Sequence, residues 1–357
     1  WCVQGLGEPT EILKHSYNGL GWYRKEIIIP EDYAGNNVFL CFGGVYKYAK
    51  VWINGRFLGE HIGYPIGFEY EISPYVKAGE KADIAIMVDS IQRWDIDTLV
   101  GCTDGEGIFR DKGGGGIWGH IWLEKRDHIW IEDLYIRTEY NPAKCNIEVT
   151  LSGALEFNYS IEAEIFDSSN NPVTKKSVNV ASAGDGGIIN FDLAVENARL
   201  WTPDDPYLYK AVISLKYGTG IIDSIEQKIG IRQIEIKGPY FYLNGKKLYL
   251  RGYGDDAVYP ETLFPPSSKE EYIKRIKIAK QWGFNSVRHH SHFLPEEYYQ
   301  VCDEMGMLVQ PELQICYSQY YDAAEKKPKA MQLYYTVWES LIKQHRNHPS
   351  IFSWCMG

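Results

Sequence analysis

The sequence lacks a long hydrophobic run. None approaches the roughly 18 consecutive apolar residues that a membrane-spanning helix needs. Basic charge is also short: 37 Lys and Arg stand against 47 Asp and Glu, a net charge of -10 over 357 residues. A nucleic acid or an anionic membrane would want a basic patch, so neither is expected as a partner. Cysteine is sparse: seven are scattered with no CxxC pair. That odd, dispersed set argues against a disulfide framework and against structural zinc, and most should be small buried hydrophobes. The Gly-rich loop 101–116 is not a P-loop, since it lacks the GK[ST] ending and a following helix. No cofactor is expected. The first residue is Trp1, not Met, so a signal peptide would lie upstream and the compartment stays open between cytoplasmic and periplasmic or secreted.

Aromatic residues, by contrast, are plentiful: 27 Tyr and 11 Trp. Most suit strand cores, and such rings also suit clefts that stack on sugars. Residues 1 to about 126 read as β. VFLCF (38–42) and ADIAIMVDS (82–90) are taken as alternating strands, and GIWGHIWLEK (116–125) as one further strand. KYAKVWINGRFLGE (47–60) holds two strands around Asn54-Gly55, the strongest short hairpin signal. Several short strands at this spacing mean a sandwich or jelly roll. Residues 128 to about 236 give roughly seven more strands, the size of an immunoglobulin-like sandwich.

At about 237 the pattern changes. KKLYLRGYG (246–254) reads as a strand. Ser268 to Glu271 reads as a capping box that opens a helix with Tyr272, Ile276 and Ala279 on one stripe. FNSVRHH (284–290) is a strand, and a helix after Pro295 carries Tyr298, Val301, Cys302 and Met305. MLVQPEL is a strand, a long helix from about 329 follows, and IFSWCMG is a fourth strand. Alternation of this kind means a parallel sheet with right-handed crossovers. It closes either as a doubly wound sheet or as half of a (β/α)8 barrel, and periodicity does not choose.

The whole chain resembles the front part of the family 2 glycoside hydrolases, the β-galactosidase and β-glucuronidase family. GWYRKEIIIP (21–30), VWINGRFLGEH (51–61), GIWGHIWLE (116–124), LWTPDDPYLY (200–209), YFYLNGKKLYLRG (240–252), GFNSVRHHSH (283–292), YYQVCDEMGMLV (298–309) and RNHPSIFSWCMG (346–357) carry the resemblance, in the family's order. It implies a jelly-roll sugar-binding domain at 1–127, an immunoglobulin-like β-sandwich at 128–236 and the first half of a (β/α)8 barrel, strands 1–4, at 237–357. It implies an exo-acting retaining β-glycosidase acting on a terminal β-linked sugar, and it allows a homo-oligomer. In the family the fourth-strand motif runs on into Asn-Glu, and that Glu is the general acid/base. The resemblance therefore places the acid/base just after Gly357 and the nucleophile much later, with neither catalytic carboxylate in these residues. A half barrel would leave strand 4 with an unpaired edge, so the 357-residue polypeptide alone is expected to be inactive and aggregation-prone in its last 120 residues or so, while residues 1–236 fold well.

Barrel sites sit at strand C-terminal ends, which here carry Asp255, Asp256, Arg288, His289, His290, His292 and Glu312. By the resemblance, Arg288 matches an arginine beside the nucleophile, where it would keep that carboxylate ionised; otherwise it is a structural ion pair. His289, His290 and His292 are sugar-hydroxyl partners, packed histidines or, through an i, i+2 pair, metal ligands. Strand alternation sends His289 and His290 to opposite sides. Asp255 and Asp256 depart from the basic, histidine-rich loop usual in the family. They suit a neutral sugar and would repel a uronate, or they are a solvated turn pair. Glu312 matches the family's strand-3 Glu and is either a partner of the site histidines or an exposed loop residue. Asp104 and Glu106, in the Gly-rich loop 101–116, are weaker candidates for sugar contact. A non-catalytic carbohydrate-binding protein is the alternative function; a sandwich adhesin would not need the βα units.

Overall fold

The computed structural model describes residues 20–46, 48–63, 66–89, 116–117, 119–153, 158–180, 187–257, 259, 265–266, 268–290, 292–313 and 328–356. Asp104 and Glu106 lie outside the described residues, as does Ser291.

The first region packs two antiparallel sheets. One runs Leu20–Ile28, Lys81–Asp89, Tyr48–Ile53, Arg56–Ile62 in spatial order; the other runs Phe68–Glu71, Asn37–Phe42, Ile121–Arg126. Asn54 and Gly55 both take positive φ (50° and 77°), the turn the hairpin demands. Ala82, Ile84, Ile86 and Val88 fill the core between the sheets. Two sequence expectations change. Asn37–Phe42 is buried along both faces, because Trp130 of the next sandwich packs on Phe39 at 5.7 Å. The GIWGHIWLEK run is two strands, Gly116–Ile117 and Ile121–Arg126, which belong to different pairings.

The second region is a seven-strand sandwich. Ile129–Tyr140, Ala143–Gly153 and Ile188–Ala194 form one sheet; Pro172–Asn179, Tyr159–Phe166, Tyr209–Tyr217 and Gly220–Ile229 form the other. Alternation of buried residues is strict along Ala143–Gly153 (Cys145, Ile147, Val149, Leu151) and Tyr159–Phe166 (Tyr159, Ile161, Ala163, Ile165), which supply much of the core.

The third region places three parallel strands side by side: β1 (Gly252–Asp255), β2 (Ser286–His289) and β3 (Leu308–Gln310). Ile351 bridges Val309 and Cys355 bridges Glu312, both parallel, so a fourth segment follows β3. The spatial order 1-2-3-4 has no reversal point. A doubly wound sheet needs one, so this is the singly wound, barrel-type closure. Helices α1 (Lys269–Gln281), α2 (Glu296–Met305) and α3 (Pro328–His345) alternate with the strands, and Tyr272, Ile276, Tyr298, Val301, Cys302, Tyr334 and Leu341 bury their stripes in one core. Among the described residues no helix is long and apolar enough to cross a membrane.

Three local readings are corrected. The 246–254 run is split: Lys246–Leu248 returns on Tyr240–Leu243 as a hairpin, and the barrel strand starts only at Gly252. Asn285 redirects the chain between them, donating to the Tyr249 carbonyl and accepting from Arg251 N–H (2.9 and 2.7 Å). Ser268 is the N-cap of α1 by conformation but makes no side-chain cap bond, and Glu271 pairs with Arg275 instead. The fourth segment is two bridges rather than a continuous strand. Val309 N–H bonds Ser350 O and Phe352 N–H bonds Val309 O, but Pro311 has no N–H to continue the ladder, and Cys355 N–H reaches Pro311 O with the register moved by one.

The sandwich and the barrel segment are tied by specific joints. The Trp201 indole, fully buried, donates to Asp303 O at 2.9 Å. Arg232 donates to the carbonyls of Pro349 and Ile351 (3.0 and 2.6 Å). Asn347 accepts from Ile136 N–H and donates to Leu134 O (2.9 and 2.8 Å), covering the outer edge of strand Ile129–Tyr140. Arg346 pairs with Asp133 beside it.

Candidate functional site

Strand alternation sorts the C-terminal ends of β1–β3 into two faces. Val287 and Val309 point to the helices and are buried. Arg288 lies opposite Gln310 and Gly254 in register, on the other face. Gln310 donates to Ser353 Oγ at 2.8 Å there. This face is a polar row facing away from the helices.

Its strongest feature is the ion pair of Arg288 with Glu312. The Glu312 side chain is only 2% exposed, while that of Arg288 is 46% exposed. One end of the guanidinium is therefore anchored on a buried carboxylate and the rest stays open. Glu312 is buried, so the exposed-loop alternative does not hold, and its ion pair is with Arg288 of the neighbouring strand.

Beside this pair, the loops after β1 and β2 are zipped together. His290 N–H bonds the Asp255 carbonyl (2.9 Å), and His290 Nδ1 meets Asp256 Oδ1 at 3.0 Å with both side chains open to solvent. The Asp255 carboxylate is turned inward on its own loop, accepting from Ala257 N–H at 2.9 Å, a local turn bond of the kind Asp favours.

His289 and His292 lie on the helix side. They stack at 4.7 Å, and His289 packs on Tyr298 and Tyr299 with no exposed surface. Burial pushes both imidazoles below their ordinary pKa, so both are neutral near pH 7. His292 Nδ1 lies 3.0 Å from His290 O, while its Nε2 and both nitrogens of His289 have no hydrogen-bond partner among the described residues. This burial moves His289 and His292 from the wall of the site to its backing. Gln310 and Ser353 were missed in the sequence; the parity of Arg288 carried across the parallel register would have found Gln310.

A second polar cluster lies where α2, the end of α3 and the segment after it meet. His348 Nδ1 bonds Asp303 Oδ2 (2.6 Å) and His348 Nε2 bonds Glu296 Oε2 (3.1 Å). Burial opposes charge on His348, but Asp303 and Glu296 on its two nitrogens outweigh it and hold its pKa up at about 10. In the sequence, His348 stands inside the RNHPSIFSWCMG motif that carries the resemblance, with no role of its own.

Two β-sandwiches feeding a singly wound parallel sheet with a polar row at its strand ends define a modular sandwich-and-barrel protein. Three domain models of the glycosyl hydrolases family 2 match the chain in order: the sugar binding domain at 9–113, the central domain at 129–232 and the TIM barrel domain at 234–357. The chain belongs to this family. It is 30% identical over 350 residues to a β-galactosidase of Thermoanaerobacter pseudethanolicus, covering 96% of this chain and 45% of that protein. Its fold matches a family 2 member from Bacteroides cellulosilyticus (TM-score 0.78, 25% identity, 99% of this chain and 47% of that one). It also matches the β-glucuronidase of Bacteroides uniformis in fold (TM-score 0.81, 24% identity, 99% and 42%). The chain spans less than half the length of the curated relatives it matches.

Proposed function

We propose that these residues are the sugar-binding sandwich, the connecting sandwich and the first barrel strands of an exo-acting retaining β-glycosidase. The observation that carries the reading is Arg288, anchored by buried Glu312 at a strand C-terminal end with its outer edge open. A retaining enzyme needs two carboxyls roughly 5–5.5 Å apart. The open guanidinium edge is suited to hold an arriving carboxylate ionised and oriented. Glu312 is the positioning residue for Arg288. Neither catalytic carboxyl is assigned to the described residues. Asp256 with His290 forms the outer rim and offers an acceptor and a donor to sugar hydroxyls. An exposed carboxylate at the rim favours a neutral sugar over a uronate by charge repulsion. Asp255 supports that rim through its backbone, and His289 and His292 back it from the core.

The test is product stereochemistry. The complete protein that carries these residues is mixed with nitrophenyl β-glycosides, and proton NMR reads the first anomer released. Release of the β-anomer first supports the reading. First release of the α-anomer, or no turnover of any β-glycoside, sinks it.

A further inference from the structure

We propose that Glu296, His345 and His348 form a binding site for a zinc-like divalent cation, which ties α2 to the end of α3. Glu296 Oε2, His345 Nδ1 and His348 Nε2 lie within 4.8 Å of one another. Glu296 Oε2 is 3.1 Å from His348 Nε2 and 3.4 Å from His345 Nδ1. Ligands about 2.0–2.1 Å from a tetrahedral ion stand about 3.3 Å apart, so two edges of the coordination polyhedron are already set.

The surroundings are those of a metal site rather than of a chance cluster. His348 Nδ1 is held by Asp303 Oδ2, and the other oxygen of that carboxylate, Oδ1, accepts from Ser350 N–H at 2.9 Å. A carboxylate behind a histidine fixes the tautomer and turns the opposite nitrogen toward the ion. Gln300 donates to Glu296 Oε1 at 3.1 Å, leaving Oε2 for the ion. Glu296, Gln300 and Asp303 follow at i, i+4 and i+7 on one face of α2. The independent pointer is His345, 1% exposed, whose Nδ1 faces the gap and completes no hydrogen bond among the described residues. Glu296 is 42% exposed at its side chain and gives the ion a way in from solvent. Two imidazoles and one carboxylate suit zinc, cobalt or nickel rather than magnesium or calcium, with water in the fourth position. Without the ion, His348 instead bridges Glu296 and Asp303 as an imidazolium; the cation takes the place of the Nε2 proton.

The test is titration of the chelator-stripped protein with Co2+, read by visible absorption, with bound metal counted by mass spectrometry and displacement by Zn2+. About one equivalent is expected, with a tetrahedral or five-coordinate spectrum and a higher melting temperature. His345→Gln should lower the affinity at least tenfold. If that variant misfolds, Gln300→Ala tests the same site from outside the ligand set, with an expected loss of about 10–100-fold. No uptake of Co2+ or Zn2+ by the folded protein, or uptake equal in wild type and in both variants, overturns the proposal.

Discussion

Asn347→Ala should open the free edge of the second sandwich. Among the described residues, strand Ile129–Tyr140 pairs with Ala143–Gly153 on one side only. On the other side, Asn347 reaches from the barrel segment to hold Ile136 N–H and Leu134 O at 2.9 and 2.8 Å. Each hydrogen bond is worth about 1 kcal/mol net, and an amide left unsatisfied in a half-buried joint adds to that. The expected cost is about 2–3 kcal/mol, or, at 1.4 kcal/mol per tenfold, exchange of the Ile136 amide roughly 30- to 150-fold faster. Amide hydrogen exchange resolved by NMR reads this directly. The alternate amides of the strand, which bond Ala143–Gly153, are an internal control and should not change. Asn347→Asp keeps the acceptor and loses the donor, so Ile136 should stay protected. Unchanged exchange at Ile136 in Asn347→Ala would refute the argument that this side chain closes the edge.

The same reasoning extends to three other positions. Arg288→Met strips the partner from a buried carboxylate, a change that costs 3–5 kcal/mol when both partners are buried and about 2–3 here because Arg288 is half open to water. Adding Glu312→Leu should recover at least about 1 kcal/mol in denaturation; strictly additive costs would dismiss the pairing. His61 stacks on Phe68 at 4.0 Å, and burial lowers its pKa to about 4, against the carbonyl of Gly63 that raises it. The unfolded chain then takes up its proton first as pH falls, so this contribution is complete above about pH 6.5 and lost towards pH 4, by up to about 3 kcal/mol. His61→Phe should flatten that limb of the stability curve, and an unaltered slope counts against it. Gly306 has φ 72° and a Cβ there would stand 2.3 Å from Pro203 O, whereas Gly238 has φ 61° and open space. Gly238→Ala should cost about 1–2 kcal/mol and Gly306→Ala clearly more; equal melting temperatures would mean the joint yields.

How much of this was legible in the sequence follows the physics of each signal. Period-two alternation and the Asn54-Gly55 turn are local, and both sandwiches could be read from them. The order of the parallel strands is not local, and only the placing of β1, β2, β3 and the fourth segment side by side in that order chooses the barrel-type closure. Backbone detail depends on groups far away in sequence: Asn285 splits the 246–254 run, and the missing N–H of Pro311 interrupts the fourth segment. The site was legible as a set of strand-end polar residues, because Arg288 and Glu312 fall at matching ends of their strands. Their pairing was not, nor was the burial of His289 against Tyr298 and Tyr299, since both depend on which way a strand faces. The motif residues Trp201 and Asn347 carry resemblance in the sequence, but in the structure they act, with Arg232, as joints between the sandwich and the barrel segment.

The central claim is that the strand ends form a wall for a terminal β-linked sugar, with Arg288 behind the nucleophile and Asp256 at the rim. The most direct measurement is kcat/KM of the complete protein on matched nitrophenyl β-glycosides, neutral and uronic, for wild type, Asp256→Asn and Arg288→Lys. The account predicts a preference for a neutral sugar, a loss at Asp256→Asn that is larger for the neutral substrate, and a fall in kcat at Arg288→Lys. Unchanged kinetics in both variants would contradict it and take these strand ends out of the site.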